Sequence, residues 1–473
     1  MSLTKKVAHN TIVQIIGKII STVLGLVAIG MLARYLGQEQ FGWYITAISF
    51  LQFIGIVIDF GLVPVTAQMM SEKDFDKEKL FQNLLGFRFL TSVLFLSLAP
   101  LIVLFFPYPK EVKIAISVLV LGFVAISMNQ VLIGFYQAKL KMHIQALGEV
   151  VGKVVLVVGL WFLISKNSTF LPIMALLALS SISYTAVLWI RATKENTSTL
   201  RFDWHIWKAI MHKSWPIAIS IVFNVIYLRG DILLLSIFKS QTEVGNYGMS
   251  YRILDVVAQT AMMIMGVILP LLTYAWSRNL KKKFSYRLQT SFDVMMIFAI
   301  PMTVGIITLA KPIIFLVAGE GFVDSVLLLQ ILSLAVFGVY LGAIFGHTAV
   351  AINKQKQTMW IYISNAIITL IGYLIFIPKF GALGAAWMTV FSEIYAGVLL
   401  VLVIWKYTKV RIKLGTFMKA LLSSAVMAII ILSLQDLNII FLIIIGSITY
   451  FATLYILGGF SKQTVKEIIS FKK

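Results

Sequence analysis

The chain contains fourteen apolar stretches, each about long enough to cross a lipid bilayer as one helix. A bilayer core of about 30 Å requires roughly 20 apolar residues per helix. The stretches are continuous and do not alternate with period two, which predicts helices and excludes a barrel. Of all residues 60% are hydrophobic and only 12% are charged, too few polar side chains to cover a water-soluble surface. The sequence therefore predicts an all-α polytopic membrane protein with about fourteen transmembrane helices.

The boundaries of these stretches follow from the charged residues and from the Pro, Gly and Asn breaks between them. The predicted spans are residues 11–33, 41–63, 84–106, 112–137, 144–165, 170–190, 215–238, 247–275, 291–318, 322–350, 358–378, 383–405, 417–434 and 438–458. A chain of twelve spans is the main alternative, because one pair can be miscounted.

Lys and Arg are distributed asymmetrically between the two sets of loops. If the N-terminus is cytoplasmic, and if Lys113 and Lys419 at the ends of their spans are counted with the adjacent loops, 28 of the 40 basic residues lie on the cytoplasmic side, six lie on the outer side and six lie inside spans. Cytoplasmic loops of membrane proteins are enriched in Lys and Arg. We therefore expect a multi-pass protein of the cell (inner or plasma) membrane with both termini cytoplasmic. The net charge of +21 then reflects topology and contact with anionic membrane lipids, and no nucleic-acid partner is expected.

The longest loop between spans divides the chain into two blocks of six spans. This organisation predicts an N-terminal lobe at residues 1–190, a cytoplasmic linker at 191–214, a C-terminal lobe at 215–405, and two extra helices with a cytoplasmic tail at 406–473.

The two predicted lobes share a weak internal repeat. The first reads LGQEQFGWY around Gly42 and the second reads SQTEVGNYG around Gly245, at an offset of 203 residues. A basic pair follows later in each lobe, Lys139 with Lys141 and Lys354 with Lys356, at an offset of 215 residues. Because six spans is an even number, both lobes enter the membrane in the same direction. This predicts a pseudo-twofold axis along the membrane normal and a central cavity between the lobes.

Several ionisable side chains lie inside the predicted spans. Each costs about 2.5–3.5 kcal/mol to insert unless it faces a cavity or a partner, so these residues are the candidate site. The candidate substrate-binding cations are Lys18, Arg88, Lys153, Arg229 and Arg252, and the candidate charge partners or ion-coupling groups are Asp59, Glu149, Asp231, Asp255 and Glu393.

Two interpretations of these charges remain open. Glu149 with Lys153, and Arg252 with Asp255, are spaced to form ion pairs along one helix face, which would make them structural. Lys18 has no acidic neighbour three or four positions away, and neither has Arg88, which favours exposure of both to the cavity. Lys18 is about 10 Å from the cytoplasmic edge of its span.

The sequence lacks the residues that catalytic and cofactor sites require. It contains no Cys and only five His, and it has no phosphate-binding Walker loop, no nucleophile elbow and no cluster of His and carboxylates with metal-ligand spacing. We therefore expect no enzyme activity, no cofactor and no bound metal.

Two segments resemble the polysaccharide-biosynthesis flippases. The segment LRGDILLLSIFKSQTEVGNYGMSYR at 228–252 is similar to their second-lobe signature, and residues 35–61, with LG, FG, Tyr and a late Asp-Phe-Gly, are similar to the first. These proteins belong to the multidrug/oligosaccharidyl-lipid/polysaccharide exporter superfamily. The resemblance implies two six-helix lobes, with two further helices in many members. The parallel repeat predicts alternating access by rocking of residues 1–190 against residues 215–405.

The resemblance also implies the substrate, a polyprenyl-diphosphate-linked oligosaccharide, moved from the inner to the outer leaflet for surface polysaccharide assembly with coupling to a proton or sodium gradient. The alternatives are a cation-coupled multidrug exporter or a peptidoglycan-precursor flippase of the same superfamily, and, from another class, a membrane glycan polymerase. A polymerase usually carries a large outer loop, whereas the longest loop here is predicted to be cytoplasmic.

The predicted topology can be tested with reporter fusions. Reporters joined after Lys166 and after Lys239 should be active outside, and reporters joined after Lys194 and after Lys473 should be active in the cytoplasm, because Lys and Arg are retained on the cytoplasmic side. Inversion of any of the four reporters would contradict this topology.

Overall fold

The computed structural model describes residues 3–59, 61–71, 76–194 and 199–459, and within these ranges it describes the backbone alone at residues 3–12, 15, 56–59, 64 and 216–228. Every regular element in the described ranges is helical. The helices are α1 (Leu3–Asp59), α2 (Leu62–Ser71), α3 (Lys77–Leu96), α4 (Ala99–Ile102), α5 (Lys110–Ala138), α6 (Met142–Ser165), α7 (Phe170–Thr193), α8 (Trp204–Phe238), α9 (Gln241–Ser277), α10 (Lys281–Val317), α11 (Ser325–Ser333), α12 (Ala335–Ala351), α13 (Gln355–Thr408), α14 (Gly415–Ser433) and α15 (Ile439–Ile456), with short 3-10 turns at Val103–Phe105 and Glu320–Phe322.

Two of these helices are far longer than a bilayer requires, and each contains a break at a glycine. Within the 57 residues of α1, Gly37 has φ 68° and ψ 178°. Within the 54 residues of α13, Gly381 has φ 58° and ψ −136°. Positive φ at these points costs glycine little because it has no β-carbon. Each long helix therefore consists of two arms that coincide with two predicted spans.

The helices account for the predicted spans. Among the described residues, eleven helical segments are long and apolar enough to cross a membrane, and two of them are the greater part of the broken helix α1 and the broken helix α13. The 35-residue helix α8 coincides with the seventh predicted span. The predicted all-α polytopic fold is thus confirmed.

The chain packs as two compact units, residues 1–245 and 246–473. The lobe boundaries predicted from the sequence, at 190 and 215, stay a prediction. Helix α8 begins at Trp204, so residues 204–214 of the predicted linker are helical. Ile206, Trp207 and Ile210 of this segment are buried in the core of the first unit, where the Trp207 ring contacts Phe87 edge to face.

Small residues allow the helices of the first unit to approach closely. A β-carbon on Gly122 of α5 would lie 2.8 Å from the Cα of Ala178 on α7. The Ser180 hydroxyl donates a 2.8 Å hydrogen bond to the carbonyl of Gly152 on α6. Without a hydrophobic driving force between helices, such close packing and interhelical hydrogen bonds hold membrane helices together.

The segment before α8 is attached to α3 through Asp203. Its carboxylate caps α8 by accepting from the His205 backbone N–H at 3.0 Å and lies 3.2 Å from Lys79 Nζ. Its own backbone N–H donates to Asn83 Oδ1 at 2.7 Å. The hydrogen bond from Lys79 lowers the pKa of the Asp203 carboxyl.

The second unit repeats this attachment. Gln289 of α10 accepts from the Lys413 backbone N–H at 2.7 Å and donates to the Lys413 carbonyl at 2.9 Å. The segment that follows α13 is therefore attached to α10, as the segment that follows α7 is attached to α3. The internal repeat seen in the sequence thus extends to how each six-span block ends.

Candidate functional site

Helices α1 and α6 pack closely along one seam, and that seam carries three of the predicted site residues. A β-carbon on Gly17 would lie 2.6 Å from the Cβ of Ala146, so only glycine allows this approach. The next residue, Lys18, follows on α1, and Glu149 follows Ala146 by three positions on α6. Close packing at the glycine thus brings the ammonium and carboxylate of different helices into contact.

The Glu149 carboxylate is held by two donors from α1. Its Oε1 lies 2.9 Å from Lys18 Nζ and accepts a 2.9 Å hydrogen bond from the Ser21 hydroxyl. The Lys18 side chain is 38% exposed and that of Glu149 is 21% exposed, whereas Ser21 is buried. The Lys18 side chain of this ion pair is therefore exposed, whereas the Glu149 carboxylate is held by the buried Ser21 hydroxyl.

Lys153 lies one helical turn beyond Glu149 and also reaches α1. Its Nζ is 3.7 Å from the position that a β-carbon on Gly25 would occupy. Two cations therefore lie along the seam, Lys18 in contact with Glu149 and Lys153 beside Gly25, and the three charged groups carry a combined charge of +1 when all are ionised. We name Lys18, Ser21, Glu149 and Lys153 the seam cluster.

The remaining predicted residues of the first unit are placed differently. Arg88 is only 2% exposed, and its Nε donates to the Ser127 carbonyl at 3.1 Å, so it binds between α3 and α5. On α8, Arg229 is half-buried and Asp231 is fully buried. Asp59 is the last residue of α1, and its side chain lies outside the described residues.

In the second unit the predicted charges form a local pair and a buried acid. Arg252 Nη1 lies 3.7 Å from Asp255 Oδ2, three positions along α9. Glu393 on α13 is buried, and its backbone packs against Gly338 of α12, where a β-carbon would lie 2.5 Å from the Glu393 carbonyl carbon.

The structure therefore brings Lys18, Glu149 and Lys153 together, and it pairs Arg252 with Asp255. Ser21 was not among the predicted site residues. It lies three positions after Lys18 on the same helix face, so the spacing could have identified it. Which helix would face it could not be read from the spacing.

The second unit also contains an apolar cavity of about 350 Å³ among α10, α14 and α15. Its lining is almost entirely hydrocarbon, with the hydroxyls of Ser447 and Tyr450 among the few polar groups. The Tyr450 hydroxyl donates to the Ile297 carbonyl at 2.8 Å and is thereby satisfied. Such a lining suits an aliphatic chain and offers nothing to bind a charge. Other lining residues include Pro301, Gly305, Met427 and Gly446.

The family model described as "Polysaccharide biosynthesis protein" matches residues 7–276, more than half of the chain. The chain belongs to this family. The match contains the seam cluster and the segment 228–252 that carried the resemblance.

The chain is also similar to individual proteins in sequence and in fold. The probable low-salt glycan biosynthesis flippase Agl15 of Haloferax volcanii is 21% identical over 393 residues, which cover 81% of this chain and 80% of that protein. Among solved structures, the lipid II flippase MurJ in an inward closed conformation is 19% identical with a TM-score of 0.80, covering 94% of this chain and 98% of that one. An inward-facing multidrug resistance MATE family transporter of the MOP superfamily is 15% identical with a TM-score of 0.69, covering 84% and 98%. The chain shares the fold of these two solved structures.

The exposure of the seam cluster can be tested by labelling in this Cys-free chain. Lys18→Cys should react with a charged, membrane-impermeant thiol reagent in everted vesicles, because its side chain is accessible. Ser21→Cys, which is buried one turn away, should react at least about tenfold more slowly and serves as the matched control. A reaction rate at position 18 as slow as that expected for the buried position 21 would show that position 18 does not face water.

Proposed function

We propose that this protein is a flippase that moves polyprenyl-diphosphate-linked oligosaccharide units from the inner to the outer leaflet of the cell membrane for surface polysaccharide assembly, by alternating access. Membership of the polysaccharide biosynthesis family supports a role in glycan assembly. The curated relative that matches most of the chain is named as a glycan biosynthesis flippase, and the fold is that of known flippases and transporters.

The observation that carries the proposal is the seam cluster. A diphosphate carries at least two negative charges, whereas Glu149 carries one. At about 4 Å and an effective dielectric constant of about 20, one pair of unit charges is worth about 4 kcal/mol. A diphosphate that reaches Lys18 and Lys153 therefore competes effectively with the single carboxylate, and the accessible side of Lys18 is where the exchange begins.

Coupling to an inward proton or sodium gradient requires that the ion and the substrate bind in alternation, so that the ion moves inward as the substrate moves outward. Glu149, whose carboxylate accepts from Ser21 and pairs with Lys18, is the group of the seam cluster that would take such an ion once the substrate has left on the outer side. The ion is then released to the cytoplasm before the next substrate binds.

The lipid part of the substrate requires an apolar surface. The polyprenyl chain can remain in the bilayer, and the cavity among α10, α14 and α15 has the lining to hold a segment of it. No comparable hydrocarbon-only surface is needed for a compact soluble substrate.

A peptidoglycan-precursor flippase is the second candidate, because its lipid-linked substrate carries the same diphosphate and the fold closely matches that of the lipid II flippase. The two candidates differ in what is lost when the protein is inactive: surface polysaccharide for the first candidate and peptidoglycan precursor for the second. A cation exporter is less well supported, since two of the three charged groups in the seam cluster are positive.

Replacement of Lys18 tests the proposal in cells that depend on this protein for surface glycan. Lys18→Ala should reduce export at least about tenfold, since loss of about 1.4 kcal/mol in binding is tenfold, and lipid-linked oligosaccharide should accumulate inside. Lys18→Arg should retain part of the activity because it keeps the charge. Glu149→Gln should bind substrate more tightly and turn over more slowly, because the competitor for Lys18 is gone. Surface glycan and the intracellular lipid-linked pool are measured together.

Lys311→Ala is the matched control, since Lys311 is also an in-span lysine but is exposed and lies over the Phe315 ring at 5.6 Å. It should export normally. Normal export by a correctly inserted Lys18→Ala protein would refute the proposal, and loss of peptidoglycan precursor instead of surface glycan would favour the second candidate.

A further inference from the structure

The two repeat-related hairpin segments meet each other through their backbones. A β-carbon on Gly42, in the second arm of α1, would collide with the carbonyl oxygen of Gln241 and lie 2.6 Å from its carbonyl carbon. A β-carbon on Gly245, in the first turns of α9, would collide with the carbonyl oxygen of Gln38 and lie 3.1 Å from its carbonyl carbon. At both places the backbones touch where side chains normally keep them apart.

The contact is reciprocal, and its symmetry is that of the sequence repeat. Gln38 precedes Gly42 by four positions, and Gln241 precedes Gly245 by four positions. Both members of the second pair follow their counterparts by 203 positions, the offset of the internal repeat. Each repeat therefore contributes one glycine and one glutamine carbonyl, and each glycine receives the carbonyl of the other repeat.

Side chains near the two glycines make further contacts between these parts of the chain. The Thr46 hydroxyl donates to Gln241 Oε1 at 2.6 Å, and the hydroxyls of Tyr108 and Ser236 lie 2.8 Å apart. Phe41 and Val244 are fully buried. These residues come from hairpins that the charge distribution places on the outer side of the membrane.

We propose that the Gly42–Gly245 contact is the outer gate of the transport cycle, closed in this structure and separated when the site opens outward. The inference rests on the proposed alternating access. Because the contact is made by backbone, its closure requires glycine at both positions, and any β-carbon there acts as a wedge. Both glycines are needed because each one lies against the glutamine carbonyl of the other repeat, at positions that the repeat offset relates.

Wedge substitutions test the gate through a reporter that requires no substrate. Ser49 lies seven positions after Gly42 on the same face of the helix and is buried. Ser49→Cys should react slowly with an impermeant thiol reagent applied from outside. Adding Gly42→Val or Gly245→Val should raise the reaction rate of this thiol up to about tenfold, as expected if an open state populated at about a tenth becomes the main state, and transport should fall.

Matched controls are available on the same two helices. Gly55 on α1 and Gly266 on α9 would each place a β-carbon in open space. Gly55→Val and Gly266→Val should leave the labelling rate of the Ser49→Cys reporter unchanged. If either wedge variant fails to insert, the Gly42→Ala and Gly245→Ala variants carry a smaller wedge at the same positions.

A reversible crosslink tests the gate in the opposite direction. Thr46→Cys with Gln241→Cys, joined by a short bifunctional thiol reagent with a reducible spacer, should hold the gate shut and stop transport until reductant restores it. Labelling of the Ser49→Cys reporter that stays at the parental rate in the wedge variants, or full transport by the crosslinked protein, would overturn the proposal. If the labelling changes as expected while surface glycan never depends on the protein, the gate stands and the proposed substrate fails.

Discussion

The cost of placing an ionised group in a low-dielectric medium governs how this protein is built. The bilayer forces the backbone into helices that satisfy their own hydrogen bonds, and it makes every charge within a span seek a partner. The structure meets this requirement in several ways. Arg88 binds a backbone carbonyl, Arg252 binds a carboxylate on its own helix, and Lys18 binds Glu149 on a neighbouring helix. Of these three arrangements, only the pair of Lys18 with Glu149 combines an exposed cation with a carboxylate that a second donor holds. This is the arrangement required if a substrate diphosphate is to replace Glu149 as the partner of Lys18.

Glycines determine where helices approach closely enough for function. Gly17 brings α1 onto α6 and so creates the seam cluster, while Gly42 and Gly245 let two hairpin segments meet backbone to backbone. Both contacts lie in the first compact unit and both use the same helix, α1, on opposite sides of its break at Gly37. One broken helix thus carries the proposed binding lysine and half of the proposed gate, which offers a direct mechanical route between substrate binding and gate opening.

The spans could be predicted from the sequence because hydropathy and length suffice to identify a membrane helix. The repeat could be recognised because it left matching motifs at Gly42 and Gly245, and those motifs proved to contact each other. Helix-face spacing identified the pair of Arg252 with Asp255, since both members lie on one helix.

Contacts between helices could not be predicted in the same way. Helix-face spacing indicated Lys153 as the partner of Glu149, whereas the structure shows an ion pair between Glu149 and Lys18, which is 131 residues away in the sequence. Which helices are neighbours depends on packing at small residues such as Gly17 and Ala146, and periodicity along one helix contains no information about it. For the same reason the role of Ser21, and the attachment of Asp203 to α3, emerge only from the structure.

The central claim is that the diphosphate is recognised by the cations of the seam cluster, and reconstituted transport tests it most directly. Proteoliposomes loaded with a fluorescent polyprenyl-diphosphate oligosaccharide are assayed for transfer between leaflets by quenching with an impermeant reagent. The account predicts that the protein accelerates transfer of the diphosphate substrate, that it does not accelerate transfer of the same oligosaccharide on a polyprenol without the diphosphate, and that Lys18→Ala removes the difference. Equal transfer of both substrates, or an undiminished preference in Lys18→Ala, would contradict it.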